Sequence, residues 1–182
     1  MLDFQPPMLA RPGEITITPW SYQSLGTSLA SMSVVSASVN FVTANLAVFV
    51  PFGIPEPVTI TKLGWGNGNP VAGNLDAGIY DESGTRIVST GSTAQLTTDV
   101  LQVVDVTDTL LARGRYYLAL ASDTSGATQK VHAAIPAKGV GQSLGLLQMA
   151  AAFVLPASAT YAKYASAFVP LVFAQGYRTI GP

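Results

Sequence analysis

Short runs of alternating apolar and polar residues recur along this chain, separated by Gly, Pro, Asn and Asp. A period of two is typical of a β-strand with one face on a core, because successive side chains point to opposite sides of the backbone. Such runs follow one another at spacings of roughly 10–15 residues, and no long helical period lies between them. The pattern predicts an all-β protein, built as an antiparallel sandwich or barrel.

The most regular run lies in "GNLDAGIYDESGTRIVSTG". Leu75, Ala77 and Ile79 share one face of a predicted half-buried strand, and the opposite face carries Asn74, Asp76, Gly78 and Tyr80. The "DESG" that follows, Asp81 to Gly84, predicts a tight turn, because Asp caps backbone N–H groups and Gly tolerates a positive φ. With "RIVS" as the return strand, we expect a hairpin whose acids are structural.

Further strands are predicted at "EITIT", "ANLAVFVPF", "PVTITKLGW", "VLQVVDVTD" and "GRYYLALAS". Short apolar runs at "KVHAAIP", "MAAAFVLP" and "SAFVPLVFA" complete the series, whereas residues 24–40 fit helix and strand equally. Pro51, inside "ANLAVFVPF", indicates an edge strand or a bulge, because proline cannot donate to a strand ladder. The alternation of "PVTITKLGW" becomes irregular near its end.

The chain divides into an arm and one domain. Pro6, Pro7 and Pro12 punctuate residues 1–13, and proline fixes φ and biases its predecessor towards extended backbone. We therefore expect an extended Pro-rich arm over 1–13 and a single β-sandwich domain over 14–182.

Charge is scarce. Charged residues make up 10% of the chain, against about 25% in ordinary globular domains. None lies between Glu14 and Glu56 or between Lys138 and Lys163, so long parts of the surface are uncharged. Such surfaces tend to be covered by a partner. The formal net charge is −1 and there is no basic run, so we do not expect nucleic-acid binding.

Membrane insertion is the rival explanation for this composition. The best candidate, "GLLQMAAAFVLPASA", is interrupted by Gln148, Pro156 and Ser158. Its apolar part falls short of the ~20 residues that a membrane-spanning helix needs. We expect no membrane insertion.

Catalytic and metal sites have few candidate residues. There is no cysteine and a single histidine, His132, which lies in a predicted strand and is expected to be an ordinary residue. The acids that could serve a glycosidase or a calcium site stand mostly beside turn residues, and include Asp76, Asp81, Glu82, Asp105, Asp108 and Asp123. We expect no enzyme activity, no metal and no cofactor.

Aromatic residues offer one further kind of site. Trp65 and Tyr80 could stack on a sugar while Asn67, Asn69 and Asp76 bond its hydroxyl groups. Trp20, Tyr116 and Tyr117 are further members of this aromatic set. Core packing or a subunit contact explains the same residues more simply, and both interpretations stay open at this point.

Three stretches together carry a resemblance: "ANLAVFVPFGIPEPVTITKLGW", "GNLDAGIYDESGTRIVSTGST" and "LQVVDVTDTLLARGRYYLALA". They resemble the jelly-roll-like virion proteins of tailed bacteriophages, a group of minor tail, head-fibre and capsid-decoration proteins. The similarity covers residues 44–121 and is most specific at the "GIYD" strand end and at "GRYYLAL". It implies a jelly-roll sandwich and a particle component, and it transfers no active site.

These observations lead to two functional expectations. The first is a non-enzymatic virion structural protein on the particle surface, a homo-oligomer and specifically a trimer, in contact with other phage structural proteins and with its arm on a neighbour. Depletion of charge fits a subunit whose surface is buried by symmetry mates. The alternative is a carbohydrate-binding host-adhesion module that uses Trp65, Asn67, Asn69, Asp76 and Tyr80 on a host surface glycan.

Overall fold

The structure is a computed structural model, described for residues 14–18, 21–24, 38–41, 43–134, 138–166 and 168–178. The predicted arm, residues 1–13, lies outside the described residues, as do Trp20 and residues 25–37.

The described part of the chain is almost entirely β-structure, with one short helix, α1 (Lys138–Ser143). Its strands are β1 (Glu14–Thr18), β2 (Ser21–Ser24), β3 (Ser38–Asn40), β4 (Ala47–Ile54), β5 (Val58–Gly66), β6 (Asn74–Asp81), β7 (Arg86–Ser89), β8 (Thr93–Ala94), β9 (Leu101–Leu111), β10 (Gly114–Ser122), β11 (Thr128–Ala134), β12 (Leu147–Met149), β13 (Ala162–Lys163), β14 (Phe168–Pro170) and β15 (Val172–Arg178).

The strands form two large antiparallel sheets and one small one. Sheet I has the order β2-β1-β15-β5-β9, and sheet II has the order β13-β12-β4-β10-β6-β7 with β8 also paired to β6. The small sheet has the order β14-β11-β3.

The connections are those of a jelly roll. The central sets β1-β15-β5-β9 and β4-β10-β6-β7 contain eight strands. If these eight strands are numbered 1 to 8 in chain order, their order is 1-8-3-6 in sheet I and 2-7-4-5 in sheet II. This is the double Greek-key winding of a jelly-roll sandwich. The predicted all-β sandwich is therefore confirmed, in preference to the barrel.

The main core lies between the two sheets. Sheet I contributes Ile15, Ile17, Val58, Ile60, Leu63, Trp65, Val172 and Ala174, and sheet II contributes Val48, Val50, Phe52, Leu75, Ala77, Ile79, Leu118 and Leu120. Burying each large apolar side chain contributes roughly 1.5–3 kcal/mol. Leu75, Ala77 and Ile79, predicted to share one face of β6, all lie in this core.

A β-bulge in β5 explains the irregular alternation seen in its sequence. Against β15, Ile60 pairs with Gly176 and Lys62 pairs with Gln175, so Thr61 is an extra residue in β5. A bulge reverses the facing of every residue beyond it. Trp65 therefore points into the same core as Ile60, on the far side of the bulge.

Pro51 lies within β4, a strand that has neighbours on both sides but not along its whole length. β10 pairs with all of β4, whereas β12 pairs only with residues 47–49. None of the described strands runs beside Pro51 on the β12 side. β4 is thus locally an edge at Pro51, as the sequence indicated.

The predicted β6–β7 turn is present. Gly84 has φ +87° and its N–H donates to the Asp81 carbonyl at 3.1 Å. The Asp81 carboxylate accepts from Thr85 N–H at 2.9 Å and from the Ser83 hydroxyl at 2.6 Å. The Ser83 hydrogen bond in particular lowers the pKa of the Asp81 carboxyl. The acid caps the turn, as expected.

The outer face of sheet II is covered by residues 150–161, called the cover segment below. Ala152 and Leu155 of this segment form a second apolar cluster with side chains of the sheet below, namely Ala47, Phe49, Tyr80, Ala119 and Ala121. The half-buried strand predicted for β6 is therefore wrong, because both of its faces are buried. "MAAAFVLP" also departs from the strand prediction, since β12 ends at Met149 and the remainder is irregular chain that crosses the sheet.

Candidate functional site

The five residues predicted to form a carbohydrate platform do not form a common surface. Trp65, Asn67, Asp76 and Tyr80 are each 0% exposed, and Asn69 alone is exposed. The bulge in β5 turns Trp65 into the core. The cover segment lies over Asp76 and Tyr80, the two residues of the five that belong to β6. The predicted sugar platform on Trp65 and Tyr80 is therefore wrong, and packing accounts for both rings.

Trp65 and Asn67 instead belong to a buried polar network. Trp65 Nε1–H donates to Asn67 Oδ1 at 2.8 Å. Asn67 Nδ2 donates to Gln102 Oε1 at 2.8 Å and to the Thr97 carbonyl at 3.0 Å, and Gln102 Nε2 donates to the Ala94 carbonyl at 2.8 Å. Buried polar groups must be paired in this way, since an unpaired one costs about 1–3 kcal/mol. The network holds the chain between β8 and β9 against the end of β5.

Asn69 lies at the surface in a separate cluster. Its Nδ2 donates to Asp99 Oδ2 at 3.4 Å, and Lys130 Nζ stands 2.6 Å from Asp99 Oδ1. The hydrogen bond from Lys130 lowers the pKa of the Asp99 carboxyl. Lys130 Nζ also lies 3.2 Å from Ser38 Oγ, so this cluster ties β3 and β11 to the loop before β9.

Asp76 and Tyr80 fasten the cover segment to β6. Asp76 Oδ2 accepts the Leu155 N–H at 3.0 Å, and its Oδ1 accepts the Thr90 hydroxyl at 3.2 Å. The Tyr80 hydroxyl donates to the Pro156 carbonyl at 2.6 Å. Burial raises the pKa of both side chains. Their hydrogen bonds hold a crossing segment in place, which is a structural role.

Three of the remaining candidate acids are also engaged structurally. Glu82 pairs with Arg115 at 3.5 Å, Asp105 pairs with Lys62 at 3.3 Å, and Asp123 accepts from Asn74 Nδ2 at 2.6 Å. Among the described residues no group of three His, Cys, Asp or Glu side chains is placed to hold a metal ion.

The uncovered end of sheet II carries an open depression that sequence reasoning missed. It consists of two adjoining hollows of about 390 and 430 Å³, which share Gly53 and Arg115. Tyr117 and Leu144 line the first hollow, and Arg113 lines the second. Alternation along "GRYY" could have placed Arg115 and Tyr117 on one face. The end point of the cover segment could not be read from the sequence.

Three of the seven exposed large apolar side chains among the described residues lie on sheet I. Val103 (40% exposed) and Leu110 (62%) lie on β9, and Tyr177 (43%) lies on β15. Thr59 of β5 pairs with Tyr177 on one side and with Leu110 on the other, so these three residues form one row across the sheet. Ala174 and Leu111 lie in the core and Val104 packs against it, so alternation along β15 and β9 places Tyr177, Leu110 and Val103 on the outer face. We call this row, Tyr177 and Leu110 with Thr59 between them, the apolar face.

No helix in the described ranges is long and apolar enough to cross a membrane. No family model matches the sequence, and no curated protein matches it. Among solved structures, the D431N mutant VP2 protein of infectious bursal disease virus, from derived T=1 particles, aligns with a TM-score of 0.26 and 13% identity. The alignment covers 100% of this chain and 45% of that one. A TM-score this low carries no argument about fold or function.

Proposed function

We propose that this chain is a non-enzymatic structural subunit of a tailed-bacteriophage virion, assembled as a homo-oligomer on the particle surface. A trimer is the expected order, in capsid decoration or at the tail. Jelly rolls also serve as lectin and cupin domains, so the fold alone does not select the function. The proposal is supported by the sequence resemblance over residues 44–121 and by the low charge of the chain.

The observation that carries the assembly proposal is the apolar face. A monomer rarely exposes large apolar side chains together on one sheet, whereas a subunit contact buries them. Ala, Ser, Thr and Gly, common elsewhere in the chain, lose little side-chain entropy when they pack between subunits.

We infer that a second copy covers the apolar face through side chains and not through a shared strand ladder. β9 is eleven residues long and pairs only with β5 among the described strands, so one of its edges has no partner strand in the described part of the chain. Asp105 and Asp108 lie on that strand, and charges on an edge strand oppose edge-to-edge pairing. The outer-face side chains of β9 and β15 are the better contact.

Sedimentation velocity of the purified full chain tests this proposal. Leu110→Asp places a charge on the apolar face and should convert oligomer to monomer. Val154→Asp is the matched control, because Val154 is 48% exposed on the cover segment, away from sheet I. A wild-type chain that stays monomeric at high concentration would contradict the proposal, as would equal behaviour of the two variants.

A further inference from the structure

The outer face of sheet II is covered over only part of its length. On β4 and β10 the cover segment packs against Phe49 and Ala119. One step further along the same face lie Tyr117 and Arg115, with Gly53 directly opposite Arg115. These residues line the open depression, so the face that is apolar and closed at one end becomes aromatic, basic and open at the other.

We propose that the open depression binds an acidic oligosaccharide, with Arg115 holding a carboxylate and the Tyr117 ring packing on the sugar. The half-buried Tyr117 ring stands 5.1 Å from that of Tyr161 at an interplanar angle of 47°, which fixes its position. A fixed aromatic ring suits the C–H patches of a saccharide. This inference does not depend on the virion assignment.

The positive charge of the depression favours an acidic ligand. Of the nine Lys and Arg residues in the chain, Arg113 and Arg115 both line the depression. Arg115 already holds a carboxylate, since its Nε lies 3.5 Å from Glu82 Oε1. The two side chains are 76% and 59% exposed, and exposed ion pairs contribute little free energy. A ligand carboxylate can therefore replace Glu82 or share the guanidinium fork, which has five N–H donors.

The shape of the depression, two hollows joined end to end, favours an elongated ligand. Each hollow is at the small end of the range for ligand sites, and the two join across Gly53 and Arg115. A Cβ built on Gly53 meets nothing within 4 Å, so this glycine is not required for packing. Its missing side chain keeps the passage between the hollows open. An oligosaccharide of two or more units would span both.

Titration of the full chain with oligogalacturonate tests the proposal by calorimetry. A neutral malto-oligosaccharide of equal length and poly-glutamate serve as control ligands. Arg115→Gln should weaken oligogalacturonate binding roughly ten-fold, since it removes a charge-assisted hydrogen bond. Gly53→Leu should block the passage while leaving the melting temperature and circular dichroism unchanged. Glu82→Gln should strengthen binding, because it removes the competing carboxylate, and Lys62→Gln on sheet I should have no effect.

That ordering of the variants, together with no binding of the neutral sugar, is the expected result. The proposal is overturned if wild type does not bind oligogalacturonate, or if Gly53→Leu binds as wild type does. It is also overturned if poly-glutamate binds with the same variant dependence, which would show attraction by charge alone. A changed sedimentation mass for Gly53→Leu with unaltered sugar binding would instead assign the depression to a second copy of the chain.

Discussion

Replacing Gly84 by Ala should destabilise the fold by about 2–4 kcal/mol. At φ +87° a residue with a Cβ is strained by roughly 1–2 kcal/mol. A Cβ at Gly84 would also lie 2.5 Å from the Ala159 carbonyl oxygen, so the cover segment must shift. That shift stretches the hydrogen bond from Ala159 N–H to the Gly84 carbonyl, now 2.7 Å and worth roughly 1 kcal/mol. Gly84→Val should cost more still, because β-branched residues tolerate positive φ least.

Urea unfolding of wild type, Gly84→Ala and Gly91→Ala measures this effect. Gly91 has φ +67°, but a Cβ there meets nothing within 4 Å, so its variant reports backbone strain alone. The excess loss at Gly84 is the contribution of the cover segment. For a chain of this length, each kcal/mol should lower the melting temperature by about 2–4 °C. Equal losses in the two variants, within about 0.5 kcal/mol, would refute the packing of the cover segment on the turn.

Three further predictions concern buried polar groups. Trp65→Phe leaves Asn67 Oδ1 without its donor and should cost about 1–3 kcal/mol in urea unfolding; no loss would refute the network. Tyr80→Phe removes the hydroxyl that donates to Pro156 and should cost roughly 0.5–1.5 kcal/mol, with faster proteolysis of the cover segment; unchanged cleavage would contradict the fastening role. Burial raises the pKa of the Asp76 carboxyl above 3.8, so its contribution to stability is greatest below that pH and declines as pH rises through the folded-state pKa. The unfolding free energy of Asp76→Asn minus that of wild type should therefore increase as the pH is raised from acidic to neutral. If that difference stayed constant with pH, Asp76 would have the same pKa in the folded and unfolded chain.

The parts of the fold that sequence predicted are those set by local chemistry. The Asp81-to-Gly84 turn follows from residues three positions apart, and the two faces of β6 follow from alternation within one strand. The bounds of β10 were read directly from "GRYYLALAS" because a glycine and turn residues flank it.

The burial of Trp65 and Tyr80 and the position of the open depression could not be predicted from the sequence, because they depend on contacts between residues far apart in the chain. Trp65 turns inward through a bulge whose register is set against β15, more than 100 residues further along the chain. Tyr80 is buried by Pro156, 76 positions away. The open depression exists because the cover segment ends short of Arg115, and nothing local to Arg115 carries that information. Alternation gives the face of a side chain but not what lies over that face.

If this chain is a multi-copy component of a virion, as we propose, purified particles must contain it. Quantitative mass spectrometry of gradient-purified virions from the encoding phage tests it most directly. We expect a fixed copy number divisible by the oligomer order found by sedimentation, in the hundreds for capsid decoration or in the tens or fewer for a tail position. Absence of the chain from purified particles would show that it is not a virion component.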